Sequence, residues 1–517
     1  MRLLRTAKGA PMFKNYLKVA FRSLLRHKGQ SIINISCLSI GTAACLLLLL
    51  WVQDELSCDR YHVNADRIYR VVSQSENEGK VKQTVLTPAP LAPALISEFP
   101  WIQKAIMISK GQRVVKYGDK IFEEDVLFAD PEIFEVFTFP LVMGDPLTAL
   151  KDPYSILISE DMRNKYFGEE NPFGKIINLD KRTDYRITGV FKNIPRNSHF
   201  RFNFLGTYSR SRSKNSVDWG ISNFHTYVLV ESNSPLSTFK EKMPEFVGKY
   251  RGQEIRDKYG ITYLLQPLKR IHLYSHLWGE IEDNGDINNV YILSAVALFI
   301  LLIACVNYIN LATARFTRRV KEAGLRKVLG AAPSQLLKQF LGESFLSALI
   351  ALPIAILLAE IFLPLFNSLS GKPLAFNYFN NLFILTGMVG IILMVGLLSG
   401  TVPALFITAF HPTDALRGMI KTGPAITVLR RFLVVFQFSL SIIFIICMMI
   451  VSRQLQYMKT KNLGLNKDNV VNIAINHNEE ARRKYETIKH EFSQNPHVIA
   501  VSVSGFIPGR APWNNSY

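Results

Sequence analysis

A few residues in this 517-residue chain are of a type and spacing that could do chemistry. His272 and His276, in RIHLYSHLWGE, stand four apart, the interval that puts two imidazoles on one helical face toward a metal. Their neighbours are of β type, so neither a shared helical face nor a metal site is expected there. Asn307 and Asn310, in CVNYINLATARF, stand three apart inside an apolar run, where a polar group must find a partner. Interhelical hydrogen bonding is the expected use of that pair, ahead of a substrate site. Glu343 and Glu360 lie near opposite ends of a further apolar run. Such ends are wet, and both carboxylates are expected to be structural. No G-x-x-x-x-G-K-[ST] phosphate loop, no HExxH and no nucleophile–base set occurs. The chain is therefore not expected to be an enzyme or to hold a cofactor, and nucleotide hydrolysis is assigned to another polypeptide.

The elements that position these residues are set by hydropathy. The chain is 48% hydrophobic, and five runs reach the roughly 20 residues that a helix needs to cross a bilayer. They fall at 31–52, 290–315, 341–366, 382–409 and 432–451. Hydrocarbon offers the backbone no partners, so each is read as a spanning helix. The fourth carries Gly387, Gly390, Gly396 and Gly400, and its GLLSG is a GxxxG pattern. Asn307, Asn310, Gly396 and Gly400 are accordingly the expected helix-packing residues, against helices of this chain or of a second permease copy.

Charge fixes the topology. Residues 1–30, 315–338 and 410–431 carry +8, +6 and +3, nearly all of the net +19. Alternate crossings put all three on one side, which the positive-inside rule makes the cytoplasm, with the N-terminus there too. The basicity is thus topological, and nucleic acid is not an expected partner. Segment 1–30 places Lys14, Lys18, Arg22 and Arg26 on one helical face and Phe13, Leu17, Phe21 and Leu24 on another, as in a helix lying on membrane lipids. Met12 makes a natural start, with 1–11 as an extension. The first span lacks a small-residue cleavage site and reads as an uncleaved signal anchor. Four of the five cysteines lie in spans, and Cys58 alone lies outside them, so no disulfide framework is expected.

Residues 53–289 are rich in β-type runs (RIYRVVSQ, YSILIS, YRITGVF, HTYVLV, ITYLLQPL) separated by short helical patterns and Pro/Gly turns. The expected fold class is an α-helical membrane protein with a mixed α/β extracytoplasmic domain. A short outer loop is expected at 367–381 and a cytoplasmic linker at 410–431. Residues 452–517 read strand, helix, Pro, strand, as the first outer domain begins. The chain is thus expected to hold an internal duplication and to stop inside its second copy.

The connection 316–340 stays open on composition alone. Glu322 precedes Arg326 by one turn, and Gly324 and Gly330 bracket LRKVL. A short helix docked into a partner protein explains the glycines. A basic helix held by anionic lipid explains only the charge.

RRVKEAGLRKVLGAAPSQLLKQFLGES, FHPTDALRG and the stretch FEVFTFPLVMGDPLTALKDPYSILISEDMRNKYFGEENPFGKIINL with YRITGVFKNIPRNSHFRFNFL, all present in this chain, resemble the FtsX-like/MacB-like ABC transporter permease family. The resemblance runs from about Met12 to the end. It implies a bacterial inner-membrane, multi-pass permease subunit partnered by a cytoplasmic ABC ATPase. The contact would run through Arg319, Lys321, Glu322, Gly324, Arg326, Lys327 and Gly330. Movement would pass to the extracytoplasmic domain, a mechanotransmission in which drugs, antimicrobial peptides or lipoproteins are the cargo classes. Longer relatives carry two such halves, so the missing second repeat is a further expected partner. The alternative is a sensory membrane protein that relays ligand binding without transport.

Overall fold

The computed structural model describes residues 21–22, 25, 28–207, 218–313, 332–376, 378, 382–408, 424–461, 469–473 and 483–504. They divide into a helical unit (residues 1–56 and 286–465) and a sheet unit (57–285 and 466–517), each taken by itself below.

The chain enters the helical unit through α1 (Lys28–Leu56) and passes into the sheet unit. There β1 (Ile68–Asn77), β2 (Lys80–Thr84), β3 (Thr87–Pro88) and α2 (Leu91–Glu98) precede a long hairpin of β4 (Ile102–Tyr117) and β5 (Lys120–Ala129). Next come β6 (Leu141–Met143), β7 (Ser155–Ser159), α3 (Glu160–Phe167), β8 (Ile176–Leu179), β9 (Thr183–Phe191) and β10 (Phe204–Thr207). The unit closes with β11 (Ser222–Val230), α4 (Leu236–Arg251), α5 (Gln253–Tyr259) and β12 (Thr262–Pro267). The helical unit resumes with α6 (Ile287–Thr313), α7 (Pro333–Ser370), α8 (Leu382–Thr408) and α9 (Pro424–Thr460), and α10 (Tyr485–Ser493) follows.

The sheet runs in the order β12-β1-β11-β4-β5-β10-β7-β9-β6, with β2 on β1, β3 on β11 and β8 on β4 and β9. Most pairs are antiparallel, while β10 with β5 and β7 with β9 are parallel. Strand β7 is SILIS, buried at every position, as a strand covered on both faces must be. Ser159 ends β7 and caps α3, its hydroxyl accepting from the Met162 amide at 3.3 Å, and Glu160 and Asp161 follow in the first turn, where the helix dipole favours acids. One apolar layer, with Ile106, Leu127, Phe137, Phe200 and Tyr227, packs on one part of the sheet. A second joins Leu91 and Leu95 of α2 to Phe239, Met243 and Phe246 of α4.

Five helices, α1 and α6 to α9, are long and apolar enough to cross a membrane. Their buried core is built from Leu38, Leu46, Leu50, Leu301, Cys305, Ala351, Ala355 and Ala359, with Ile391 and Val395 of α8. The small side chains let backbones approach where hydrocarbon provides no hydrophobic drive between helices. Helix α9 carries its apolar side chains outward: Phe432, Phe438 and Met448 are all exposed.

Residues 452–517 were expected to read strand, helix, strand. The helix is present as α10, whereas 470–473 and 498–504 form no strand among the described residues. A strand needs a partner for its ladder, and neither segment has one there.

Candidate functional site

Inside the helical unit, polar side chains fasten one helix to the next. The Ser39 hydroxyl of α1 donates to the Ala351 carbonyl of α7 at 3.1 Å. Asn307 of α6 donates to Cys37 Sγ of α1 at 2.9 Å, and Ser344 of α7 donates to the Tyr308 hydroxyl of α6 at 3.3 Å. Asn310 Oδ1 is buried and meets no donor among the described residues. A side chain on Gly41 would come within 2.7 Å of Ala304, so α1 and α6 touch at backbone distance. A side chain on Gly396 would overlap the Phe345 ring, and one on Gly400 would sit 3.0 Å from Leu341 and Ser344, so α8 packs on α7 there. Gly387 and Gly390 face open space.

Glu343 differs from expectation. It is 6% exposed, not at a wet end, because α7 starts at Pro333, well before the apolar run. Gln339 donates to it at 3.4 Å. Glu360 is exposed and accepts from the Tyr378 hydroxyl at 2.8 Å.

At the end of α1 an ionic cluster forms that the sequence did not announce. Asp54 and Glu55 lie in the last turn of α1, where the helix dipole disfavours acids. Lys372, directly after the left-handed Gly371 that ends α7 (φ 68°), reaches back to both, at 2.6 Å from Asp54 Oδ2 and 2.8 Å from Glu55 Oε1. Its ammonium also lies 5.5 Å from the Trp51 ring. Burial works against the charge, but the bonds to Asp54 and Glu55 outweigh it and hold the Lys372 ammonium above its ordinary range.

Within the sheet unit a second polar constellation is almost wholly buried. Asp59, with φ at 59°, receives Ser198 Oγ at 3.2 Å and the His199 amide at 3.0 Å on one carboxylate oxygen. Its other oxygen lies 3.0 Å from His199 Nδ1. The far side of the imidazole, Nε2, is 2.7 Å from the Tyr227 hydroxyl. Burial alone would raise the Asp59 carboxyl, but His199 holds it below the usual carboxylate range.

Register continues the chain of contacts. Tyr227 of β11 and Gln266 of β12 are the cross-strand partners of Arg70 on β1, and directly opposed residues project to one face. The Arg70 guanidinium is fully buried and donates to Gln266 at 2.7 Å and Ser275 at 2.9 Å. It makes a two-pronged pair with Glu280, at 2.5 and 3.0 Å. Burial opposes ionisation of Glu280, yet Arg70 and Ser275 bring its carboxyl below the usual range. His225, two residues from Tyr227 on the same face, is bonded through Nε2 to the Gly279 carbonyl at 2.8 Å.

The segment where the resemblance placed ATPase contact (Arg319, Lys321, Glu322, Gly324, Arg326, Lys327 and Gly330) lies outside the described residues. His272 sits in the single turn Ile271–Tyr274 and His276 beyond it. Among the described residues no cluster of His, Cys, Asp or Glu has the arrangement of a metal site. Asp59, His199, Tyr227, Glu280 and Lys372 went unread in the sequence. Arg70 alone left a signal, a charge in the middle of the otherwise inward-facing run IYRVV.

Comparison with known proteins gives two regional matches. A family model described as the MacB-like periplasmic core domain matches residues 31–246, and one described as the FtsX-like permease C-terminal matches residues 294–412. The macrolide export ATP-binding/permease protein MacB of Shewanella sp. (strain W3-18-1) is 24% identical over 350 residues, 65% of this chain and 49% of that one. The chain thus spans about half the length of that curated relative. The uncharacterized ABC transporter permease YknZ of Bacillus subtilis (strain 168) is 21% identical over 414 residues, 78% of this chain and 98% of that one. Among solved structures, the periplasmic region of MacB from Actinobacillus actinomycetemcomitans aligns with a TM-score of 0.30 at 16% identity, covering 40% of this chain and 93% of that one.

Proposed function

We infer a function from one premise: the chain belongs to the ABC transporter permeases that join a MacB-like periplasmic core domain to an FtsX-like permease domain. On that premise it is the membrane subunit of an ATP-driven export or mechanotransmission system. It sits in a bacterial inner membrane with its N-terminus and basic connections in the cytoplasm, where the positive-inside rule puts them.

In this reading hydrolysis falls to a cytoplasmic ABC ATPase that works with this chain. The partner docks on the 316–340 connection through Arg319, Lys321, Glu322, Gly324, Arg326, Lys327 and Gly330. Closure of the ATPase pulls on that connection, and α6 and α1, locked by the Gly41–Ala304 approach, move together. The observation that carries this reading is where the sheet unit is anchored. Asp59, just after α1, lies against His199, and Glu280, just before α6, pairs with Arg70, both partners belonging to the interior of the sheet unit.

The test is co-purification of the full chain with a P-loop ATPase from the same cells, followed by hydrolysis measurements on the complex. Replacing Gly324 and Arg326 is expected to abolish the permease's stimulation of hydrolysis. Undiminished stimulation by that variant sinks the coupling role.

A further inference from the structure

Buried polar side chains of the sheet unit line up from one of its chain ends to the other. Asp59 stands at the start of the unit and Glu280 near its return to α6. Between them run His199, which contacts both Asp59 and Tyr227, and Arg70, which is the cross-strand partner of Tyr227 and pairs with Glu280. Exposure along the path is 0% for Asp59, 3% for His199 and 0% for Arg70 and Tyr227. Other charged or titratable groups pack around it. His62 and Cys58 lie on the side of Asp59, Tyr61 is bonded to Ser198, and His225 lies by Glu280.

We propose that these five residues form a single brace that couples the two chain ends of the sheet unit, with His199 and Tyr227 as positioning residues acting through Asp59 and Glu280. The physical reason is that the members of the path are buried side by side, where water does not replace a lost neighbour. Ionised Asp59 orients His199. Tyr227 lies against His199 Nε2 and is the cross-strand partner of Arg70, and Arg70 is itself held by Glu280. In a dry interior such links are strong and a broken one leaves its neighbours unsatisfied. Loss at one end therefore passes to the next member and is not made good by water. The two anchors, far apart in sequence, should loosen together.

The value of the brace for moving the unit as one body rests on the permease reading above. The coupling itself does not, and is measured without any ATPase. The full chain in detergent micelles is compared with its Asp59→Asn variant by hydrogen–deuterium exchange at pH 7.5. Asn tolerates the left-handed backbone of position 59, so the replacement removes charge without forcing the chain.

The expected result is roughly five-fold faster exchange at the far end, residues 275–284, as well as at 57–62, the change that follows from losing about one buried hydrogen bond. Strands β7 and β9 should be unaffected. Tyr227→Phe, which removes only the central hydroxyl, should loosen both ends likewise. Exchange that rises at 57–62 alone in Asp59→Asn, or at one end alone in Tyr227→Phe, overturns the brace. If Asp59→Asn loosens the whole sheet, Tyr227→Phe decides by the same two readouts. A coupled exchange response together with no ATPase partner would leave the brace standing and remove the permease reading instead.

Discussion

The Lys372 ammonium sits 2.8 Å from Glu55 Oε1, although 317 positions separate them in the chain and Glu55 is only 5% exposed. A buried carboxylate at the negative end of a helix needs a cation, and Lys372 reaches it. Replacing Lys372 by Met should therefore cost about 3 kcal/mol, because it strands a buried charge. The double replacement Lys372→Met with Glu55→Gln should recover most of the loss. Unfolding of the detergent-solubilised chain checks both. Equal destabilisation by the single and double variants would show that charge is not the cause.

The glycines of α8 should separate into two classes. Gly396→Leu drives a side chain into the Phe345 ring and is expected to destabilise the helical unit by about 2 kcal/mol. Gly387→Ala meets nothing within 4 Å and should be neutral, or stabilising by up to about 1 kcal/mol through helix propensity. Thermal unfolding of the two variants side by side reads the difference.

Acid should weaken the sheet unit. Burial pushes His62 down to about 3 and His225 down to about 4, against an ordinary value near 6.5. A folded-state value below the unfolded one means that the unfolded chain binds more protons in between. The stability from neutral His62 and His225 is thus fully present above about pH 6.5 and is lost as pH falls toward 4. The slope approaches roughly 1.4 kcal/mol per pH unit for each histidine. Denaturant titrations at pH 7.5 and 5.0, followed by tryptophan fluorescence, should show the shift. His225→Asn should flatten its share.

On the proposed coupling role of residues 316–340, Gly324→Val should reduce stimulated hydrolysis at least ten-fold while leaving membrane insertion unchanged. A backbone approach barred by a side chain costs more than the roughly 1.4 kcal/mol behind a ten-fold effect. Hydrolysis measured with the partner ATPase in proteoliposomes, against a trypsin-accessibility control for insertion, provides the comparison.

Local pattern made much of this molecule legible. RIYRVVSQ, YSILIS, YRITGVF, HTYVLV and ITYLLQPL all lie in strands, β1, β7, β9, β11 and β12, because alternating or continuous β-branched and aromatic residues have few other good conformations. Hydropathy found the five long helices, though α7 and α9 extend beyond the apolar runs, since their end turns are amphipathic and carry no hydropathy signal. That is why Glu343 was read as a wet end. The buried brace was illegible for a different reason. Asp59 meets His199 across 140 positions, and Arg70 meets Glu280 across 210. Only strand order and register bring them together, and a single sequence does not encode those in any short window.

The seam between α1 and α6 has a consequence for how such a chain can be built. Cys37 meets Asn307 and Gly41 meets Ala304, so each step up α1 is a step down α6. Continued to the helix ends, that antiparallel register brings Leu56 level with Asn288, about one helix diameter away, roughly 10 Å. Everything between those two residues is a cassette spliced into a helical hairpin that a short turn could close without it. Other domains whose chain ends lie equally close could therefore be exchanged at this splice, by evolution or by design, with the bundle's own sequence left unaltered.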